Sequence, residues 1–439
     1  MKKILCLGGG TMVDVRPHLA LCAPAFGKIA ETIALKISPL ANPKIYTNLG
    51  AEVQKQASDY SIVCGATQMS RKTNFYGTRV TAINIGRTNA EVQNWIEENV
   101  INDLEVKIVF LSVAFCDFKG NVVDDQGLTS SGKEEPRLKT SNGSVSMVLT
   151  PTEKVVGRIR KDRKDIFLVA FKTTSGATED EMFVAGLDLL KKNSCNLVVV
   201  NDVHTRTNMI VTPELTKYCV TKDRSQLVDE LIVMSLGRAS NNFTRTNLVT
   251  NVIDFHLQPW SQSPKVLQRV VDWSIEQGAY RAFNNVTVGH FGYKKTKEFL
   301  WSSRRKKNFN NVEDRDLVGV HFKDKEQQAY GAKPSAGARS QFIVLSKFDD
   351  LDCIIHFHCP LLPTSKIPQI NAQRSQKLFE CGSHECGKNT ADGMVRVNKH
   401  LAVVMLDKHG PNIVFSQNAR PEMVIKFIEE NFDLTKRTE

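Results

Sequence analysis

The chain has 439 residues, 41% of them hydrophobic, with ten cysteines and a formal charge of +11 from 58 Lys plus Arg against 47 Asp plus Glu. At roughly 100 to 200 residues per domain, this length suggests two or three domains, and the apolar content is enough to build their cores, which excludes disordered, collagen-like and disulfide-miniprotein classes. No apolar run approaches the ~18 residues that cross a bilayer, and the opening MKKILCLGGG is too short in apolar residues for a signal-peptide core, so a cytoplasmic setting without membrane partners is expected. The cysteines are scattered, several inside apolar runs such as KILCLGG and LDCIIHF, and read as buried thiols of a reducing compartment.

Short β-branched runs alternate with helical patterns through the first half. KKILCLG, Val106 to Ala114, Ile166 to Phe171 and Asn196 to Asp202 are continuously apolar, which predicts a parallel sheet buried on both faces. The first strand leads into Gly8, Gly9, Gly10 and Thr11, read as a turn whose amides can approach a phosphate. Gly27 and Lys28 open the next helical stretch, KIAETIALKI, where Lys28 can add a point charge near the same anion. Thr178 and Glu181 have capping-box spacing, and Phe183, Leu187 and Leu190 share a helical face, completing a βαβ unit. Residues 236 to 265 carry GRASNNFTRTN and FHLQPWSQSPK without a sustained period, and a domain boundary is predicted there. Beyond it the patterns predict a helix over 266–277, apolar segments in LDCIIHFH and LAVVMLDKHG, and a closing helix in PEMVIKFIEENF.

In Ile354-Ile355-His356-Phe357-His358, a period of two puts both imidazoles on one strand face. His409 ends the apolar run LAVVMLDKHG, read as a neighbouring strand. Three neutral imidazoles with an open position describe a catalytic metal site; a bare H-x-H on a solvent-facing strand is the plainer reading of the pair alone. Cys381 and Cys386 flank His384 and, with Cys359, suggest a zinc knuckle, but the four-residue gap is not the usual two. Two charge runs, Arg158 to Lys164 and Arg304 to Lys307, raise nucleic acid as a competing partner class. Interleaved aromatics are scarce and no helix-turn-helix, zinc-finger or RRM pattern occurs, so RIRKDRKD reads as a solvated helix end or loop and nucleic acid is not the expected partner.

Gly9-Gly10-Thr11, Pro17, Gly27-Lys28, Ser112 to Phe118, Arg137-Leu138-Lys139, Ala170 to Thr174 and Asn201-Asp202-Val203 stand in one co-linear order. That order resembles the phosphopantothenoylcysteine synthetases, also described as the C-terminal domain of DNA/pantothenate metabolism flavoproteins. The resemblance implies a Rossmann-like α/β domain over residues 1–240, in which CTP or ATP with Mg2+ activates the carboxylate of phosphopantothenate and the amine of cysteine displaces the nucleotide. It implies nucleotide-binding roles for Gly9, Gly10, Thr11, Arg137, Lys139, Phe171, Asn201, Asp202 and Val203, and catalytic roles for Lys28, Asp117 and Lys139. The family's S-N-x-S-S-G-K loop reads here Cys22-Ala23-Pro24-Ala25-Phe26-Gly27-Lys28, without its Asn and serines. An arginine expected before that loop is Leu19, with Arg16 one helical turn earlier.

In the second half, Asn284-Asn285-Val286-Thr287, Trp301-Ser302-Ser303-Arg304, Lys333-Pro334-Ser335-Ala336-Gly337, His356-Phe357-His358-Cys359-Pro360, Gly382-Ser383-His384-Glu385 and Met405 to Gly410 follow in order. This segment resembles the class II aldolase/adducin family. The resemblance implies an α/β/α domain over 260–435, Zn2+ or another divalent metal on His356, His358 and His409, phosphate contacts at Asn285 and Ser335, and a zinc-dependent lyase acting on a phosphorylated sugar. Gly337 stands where that family carries its proton-shuttling carboxylate, Arg304 replaces a glycine and Ala336 a serine; Glu385 is a candidate substitute for the carboxylate. Together the halves suggest a bifunctional metabolic enzyme for phosphorylated small molecules, assembled as a homo-oligomer. The alternative is a binding or scaffold protein built from two degenerate enzyme domains.

Overall fold

The computed structural model describes residues 1–38, 57–70, 75–124, 126–250, 260–310, 312–323, 326–365 and 373–438. They form two compact units, Met1–Ala239 and Ser240–Glu439.

In the first unit, strands Val80–Asn84, Tyr60–Ala66, Lys2–Gly10, Val106–Ala114, Phe167–Thr174 and Leu197–Asp202 lie side by side and parallel. Asn208–Val211 and Lys217–Thr221 add an antiparallel edge. In chain order the six parallel strands run 3-2-1-4-5-6, a doubly wound Rossmann-like sheet whose order reverses between Lys2–Gly10 and Val106–Ala114. The strands are apolar throughout because both faces are covered. Helices Lys28–Ile37 and Arg224–Ala239 share a core with Ile4, Cys6, Phe110 and Val199, while helix Glu179–Asn193 sets Gly186 against Val200 and Val211 on the other face. The Thr178 and Glu181 capping box forms, and the buried helical face is Met182, Gly186, Leu187 and Leu190, with Phe183 only partly covered.

Two local expectations are corrected in this unit. Gly8, Gly9 and Gly10 are not a turn: they end the first strand, paired with Ser112, Val113 and Ala114. Crowding explains them, since a Cβ at Gly8 would lie 2.7 Å from that of Ala30, one at Gly10 would strike the Ala23 carbonyl, and Gly9 has φ of 102°. Arg16 is not a helical turn before the next loop but ends strand Met12–Arg16, which pairs with Leu19–Cys22. RIRKDRKD lies at the end of helix Val156–Asp162 and in the chain after it, with Arg158, Lys161, Asp162, Lys164 and Asp165 exposed as expected, but two of its arginines turn inward. Arg163 is 5% exposed and donates to the carbonyls of Val100, Asp103 and Val106 and to Asp165, while Arg160 donates to the carbonyls of Lys164 and Ile166.

The second unit is built on nine strands in the order Arg245–Val249, Glu326–Tyr330, Leu317–Lys323, Phe299–Ser303, His290–Lys294, Cys353–His356, Gly410–Phe415, Leu401–Leu406 and Val395–Asn398. The first pair is parallel and every other pair antiparallel. Period-two alternation feeds two cores. Ile355 and Ile413 join helices Lys265–Glu276 and Pro421–Asn431, and Ile354 and Val414 join helices Ala338–Ser346 and His384–Gly393. The result is an α/β/α sandwich, in which each buried aliphatic side chain contributes about 1.5–3 kcal/mol. The segment read as loose at 236–265 contains strand Arg245–Val249, recruited by parallel pairing with Glu326–Tyr330; its residues 251–259 lie outside those described. No described helix is long and apolar enough to cross a membrane. The ten cysteines are free thiols, most of them buried.

Candidate functional site

In a doubly wound sheet the carboxyl ends of the strands flanking the order reversal open a crevice for ligands. Gly9, Gly10 and Thr11 end one of these strands, and Asp117 follows the other. Asn201, Asp202 and Val203 lie at the same edge on a further parallel strand, with Phe171 near the carboxyl end of the strand between. The topology therefore gathers much of the expected nucleotide set at one edge. The individual polar groups are less free than the motif suggests. Thr11 is buried, its hydroxyl donating to Asn89 Oδ1 and accepting from the Cys116 N–H at 2.9 Å. Asp202 accepts from the backbone N–H groups of Ala177, His204 and Thr205 and from the Thr174 hydroxyl at 2.8 to 3.0 Å. Those bonds, led by Thr205, hold its carboxyl below the ordinary 3.8. Asp117 pairs with Lys154, and Lys28 pairs with Glu31 at 2.9 Å on the exposed first turn of its helix. Arg137 and Lys139 are exposed in the irregular segment after Ser130. Arg16 is spent internally, donating to Val15 O, Ser130 O and Ser130 Oγ.

The histidines of the second unit converge. His356 ends strand Cys353–His356, His358 follows two residues on, and His409 directly precedes strand Gly410–Phe415, which pairs with the His356 strand. His409 therefore sits in the turn of the Leu401–Phe415 hairpin and not at the end of a strand, its N–H donating to Leu406 O at 3.1 Å. All three are buried, and one nitrogen from each lies within 4.8 Å of the others. His356 Nδ1 donates to Pro411 O at 2.7 Å, which fixes the tautomer and leaves Nε2 as the lone-pair nitrogen. That Nε2 is buried with no hydrogen-bond partner among the described residues. Burial, and then His409, His290 and His358, push the His356 pKa well below 6.5. A neutral, oriented, unpartnered nitrogen beside two other imidazoles is a donor set that fits Zn2+ or a similar cation.

A fourth imidazole was not visible in the sequence pattern. His290 is 6% exposed and its ring centroid lies 4.8 Å from that of His356, as close as the triad rings lie to one another at 4.7 to 4.9 Å. Burial first, and His409 second, hold its pKa down to about 3. The expected phosphate residues enter nearby along the chain: Asn285, with φ of 61°, lies five residues before His290, and Ser335 two before Gly337, which faces the His290 ring. Asn285 accepts from Asn308 at 2.9 Å, and Ser335 Oγ accepts from the Gly337 N–H at 3.2 Å. Glu385 does not supply a carboxylate here; it takes both the backbone and side-chain N–H groups of Asn242 at 2.7 Å.

The architecture is that of a Rossmann-ordered unit joined in one chain to a histidine-centred aldolase-type unit. Residues 275–419 match the Class II Aldolase and Adducin N-terminal domain. Over 142 residues the chain is 28% identical to the coenzyme A biosynthesis bifunctional protein CoaBC of Thermococcus kodakarensis, covering 30% of this chain and 33% of that protein. The chain thus spans about a third of the length of the curated relative it matches. Among solved structures, the DNA/pantothenate metabolism flavoprotein from Streptococcus pneumoniae is 16% identical, covering 53% of this chain and 97% of that one with a TM-score of 0.41. An L-fuculose 1-phosphate aldolase is 15% identical, covering 38% of this chain and 82% of that one with a TM-score of 0.27. The chain fuses a part similar to the CoaB-type pantothenate-metabolism proteins to a class II aldolase-like domain.

Proposed function

We propose that the protein is a two-part metabolic enzyme for phosphorylated small molecules. The first unit binds CTP or ATP with Mg2+ at the Gly9-Gly10-Thr11 crevice and forms an amide between phosphopantothenate and cysteine; Lys28, Asp117, Arg137 and Lys139 are its charged contacts. The second holds Zn2+ or another divalent metal on His356, His358 and His409 and acts as a lyase on a phosphorylated sugar, with Asn285 and Ser335 toward the phosphate. The observation that carries the reading is the buried triad, above all the Pro411-anchored His356 whose Nε2 has no partner among the described residues. A metal bound there supplies Lewis-acid stabilisation of charge on a chelated oxygen. The chain's own part is to keep the imidazoles neutral by burial and to aim them.

A second reading for the first unit is nucleotide binding without ligation. The internal bonding of Thr11 and Asp202, with Ala23, Ala25 and Phe26 in the loop before Lys28, favours it.

Metal analysis of the wild type and of His356→Ala tests the second unit. Stoichiometric Zn2+ in the wild type and its loss in the variant are expected; a wild type that takes up none, or a variant that keeps it, overturns the metal reading. For the first unit, phosphopantothenate and cysteine are supplied with either nucleotide. Failure to form the amide, alongside a nucleotide-dependent rise in melting temperature, selects binding without ligation.

A further inference from the structure

The sequence leaves a glycine, Gly337, at the place where the resembled family carries a carboxylate, and the one candidate substitute, Glu385, is engaged by Asn242. The structure fills that volume with an imidazole. His290 lies directly opposite His356 across antiparallel strands. A Cβ on Gly337 would lie 2.7 Å from His290 Nε2 and Cδ2, so an imidazole at 290 and a side chain at 337 exclude one another. The ring is buried, and its Nδ1 has no hydrogen-bond partner among the described residues. A buried polar atom left unpaired is costly, and natural folds supply such atoms with a protein, water or ligand partner. His290 is not a member of the tight group formed by His356, His358 and His409. It stands beside the triad as a neutral imidazole, with one donor and one acceptor nitrogen to offer.

We propose that His290 hydrogen-bonds the oxygen that completes the metal's coordination, a water at rest and a chelating hydroxyl or carbonyl oxygen of the substrate when bound, in place of a side chain at residue 337. This rests on the metal reading above.

The test uses the full chain loaded with Co2+, whose visible absorption reports coordination, and acetohydroxamate, a bidentate oxygen chelator, as the probe. His290→Ala is expected to keep stoichiometric Co2+ and the spectrum of the chelator-free protein while weakening acetohydroxamate about tenfold; His290→Gln, which restores a hydrogen-bonding group, recovers part of that loss. If the alanine variant does not fold, His290→Leu keeps the volume without the hydrogen bond and carries the same comparison. Equal chelator affinity in the wild type and in the folded Ala or Leu variant overturns the proposal. Loss of a nitrogen ligand from the chelator-free Co2+ spectrum also overturns it, because His290 would then be an inner ligand. A wild type that takes up no Co2+ removes the metal reading itself, and this outcome is read before any chelator is added.

Discussion

At the scale of single residues, the strongest constraint beside the triad is the exclusion between His290 and any side chain at 337. The His290 ring leaves no room for a methyl group at 337, and it is packed against His356. Gly337→Ala should therefore lower unfolding stability by about 1–3 kcal/mol, the usual cost of overpacking. In a His290→Ala background the added methyl has space, and most of the penalty should vanish. Denaturant unfolding of the four proteins gives the coupling energy; an equal cost in both backgrounds would show that the ring is not the obstacle. Asp202 sets a second residue-scale expectation. The Thr205 N–H, followed by those from Ala177 and the Thr174 hydroxyl, lowers its carboxyl pKa below 3.8 in the folded chain. A depressed carboxylate contributes stability that is complete above its unfolded value and is lost as pH falls through the folded one. The melting-temperature advantage of wild type over Asp202→Asn should thus be greatest near neutrality and shrink below about pH 4. A constant advantage across that range would mean that the ionised carboxylate is not what caps the turn.

At the scale of elements, the hairpin of Leu401–Leu406 and Gly410–Phe415 sets the histidine geometry. Its turn places Lys408 at φ of 55° and Gly410 at 117°, with His409 between them. A Cβ at Gly410 would run into the Phe357 carbonyl, one residue from both His356 and His358. Gly410→Ala should cost about 1–3 kcal/mol for the backbone conformation, and should weaken Zn2+ measured against a competing chelator, because relief of the clash moves the segments bearing the imidazoles. Unchanged Zn2+ affinity at reduced stability would show that the turn supports the fold without setting the site. The same element explains what could be read from the chain alone. His356 and His358 are joined by a spacing of two, although the strand ends at His356, and Thr178 and Glu181 by capping spacing, so local spacing exposes both pairs. His290 is 66 residues from His356 and meets it only through strand register, for which no spacing rule exists. The glycines of the first strand were legible as special but not as strand, because the crowding comes from Ala30 and the Ala23 carbonyl on a later segment. Arg163 looked solvated because its acceptors, the carbonyls of Val100, Asp103 and Val106, belong to a different part of the chain.

At the scale of the whole molecule, the excess of 58 cationic over 47 anionic residues gives a net positive long-range field. The two proposed ligands carry opposite charges. A magnesium nucleotide is still an anion and is drawn in, whereas Zn2+ is repelled. The Debye length falls from about 30 Å at 0.01 M salt to about 8 Å at 0.15 M, so the long-range part of both effects is removed over that interval. Association of the nucleotide should slow as salt is raised, while association of Zn2+ should accelerate, measured by stopped-flow on the same protein. Buried Arg163 and the fully buried Arg238 and Glu214 pair are fixed inside the fold and do not contact an incoming ligand; the salt response reports the exposed remainder. A Zn2+ rate that falls with salt would require a locally negative approach to the histidines strong enough to reverse the sign of the molecular charge, and would assign capture of the metal to nearby carboxylates instead of to the imidazoles alone.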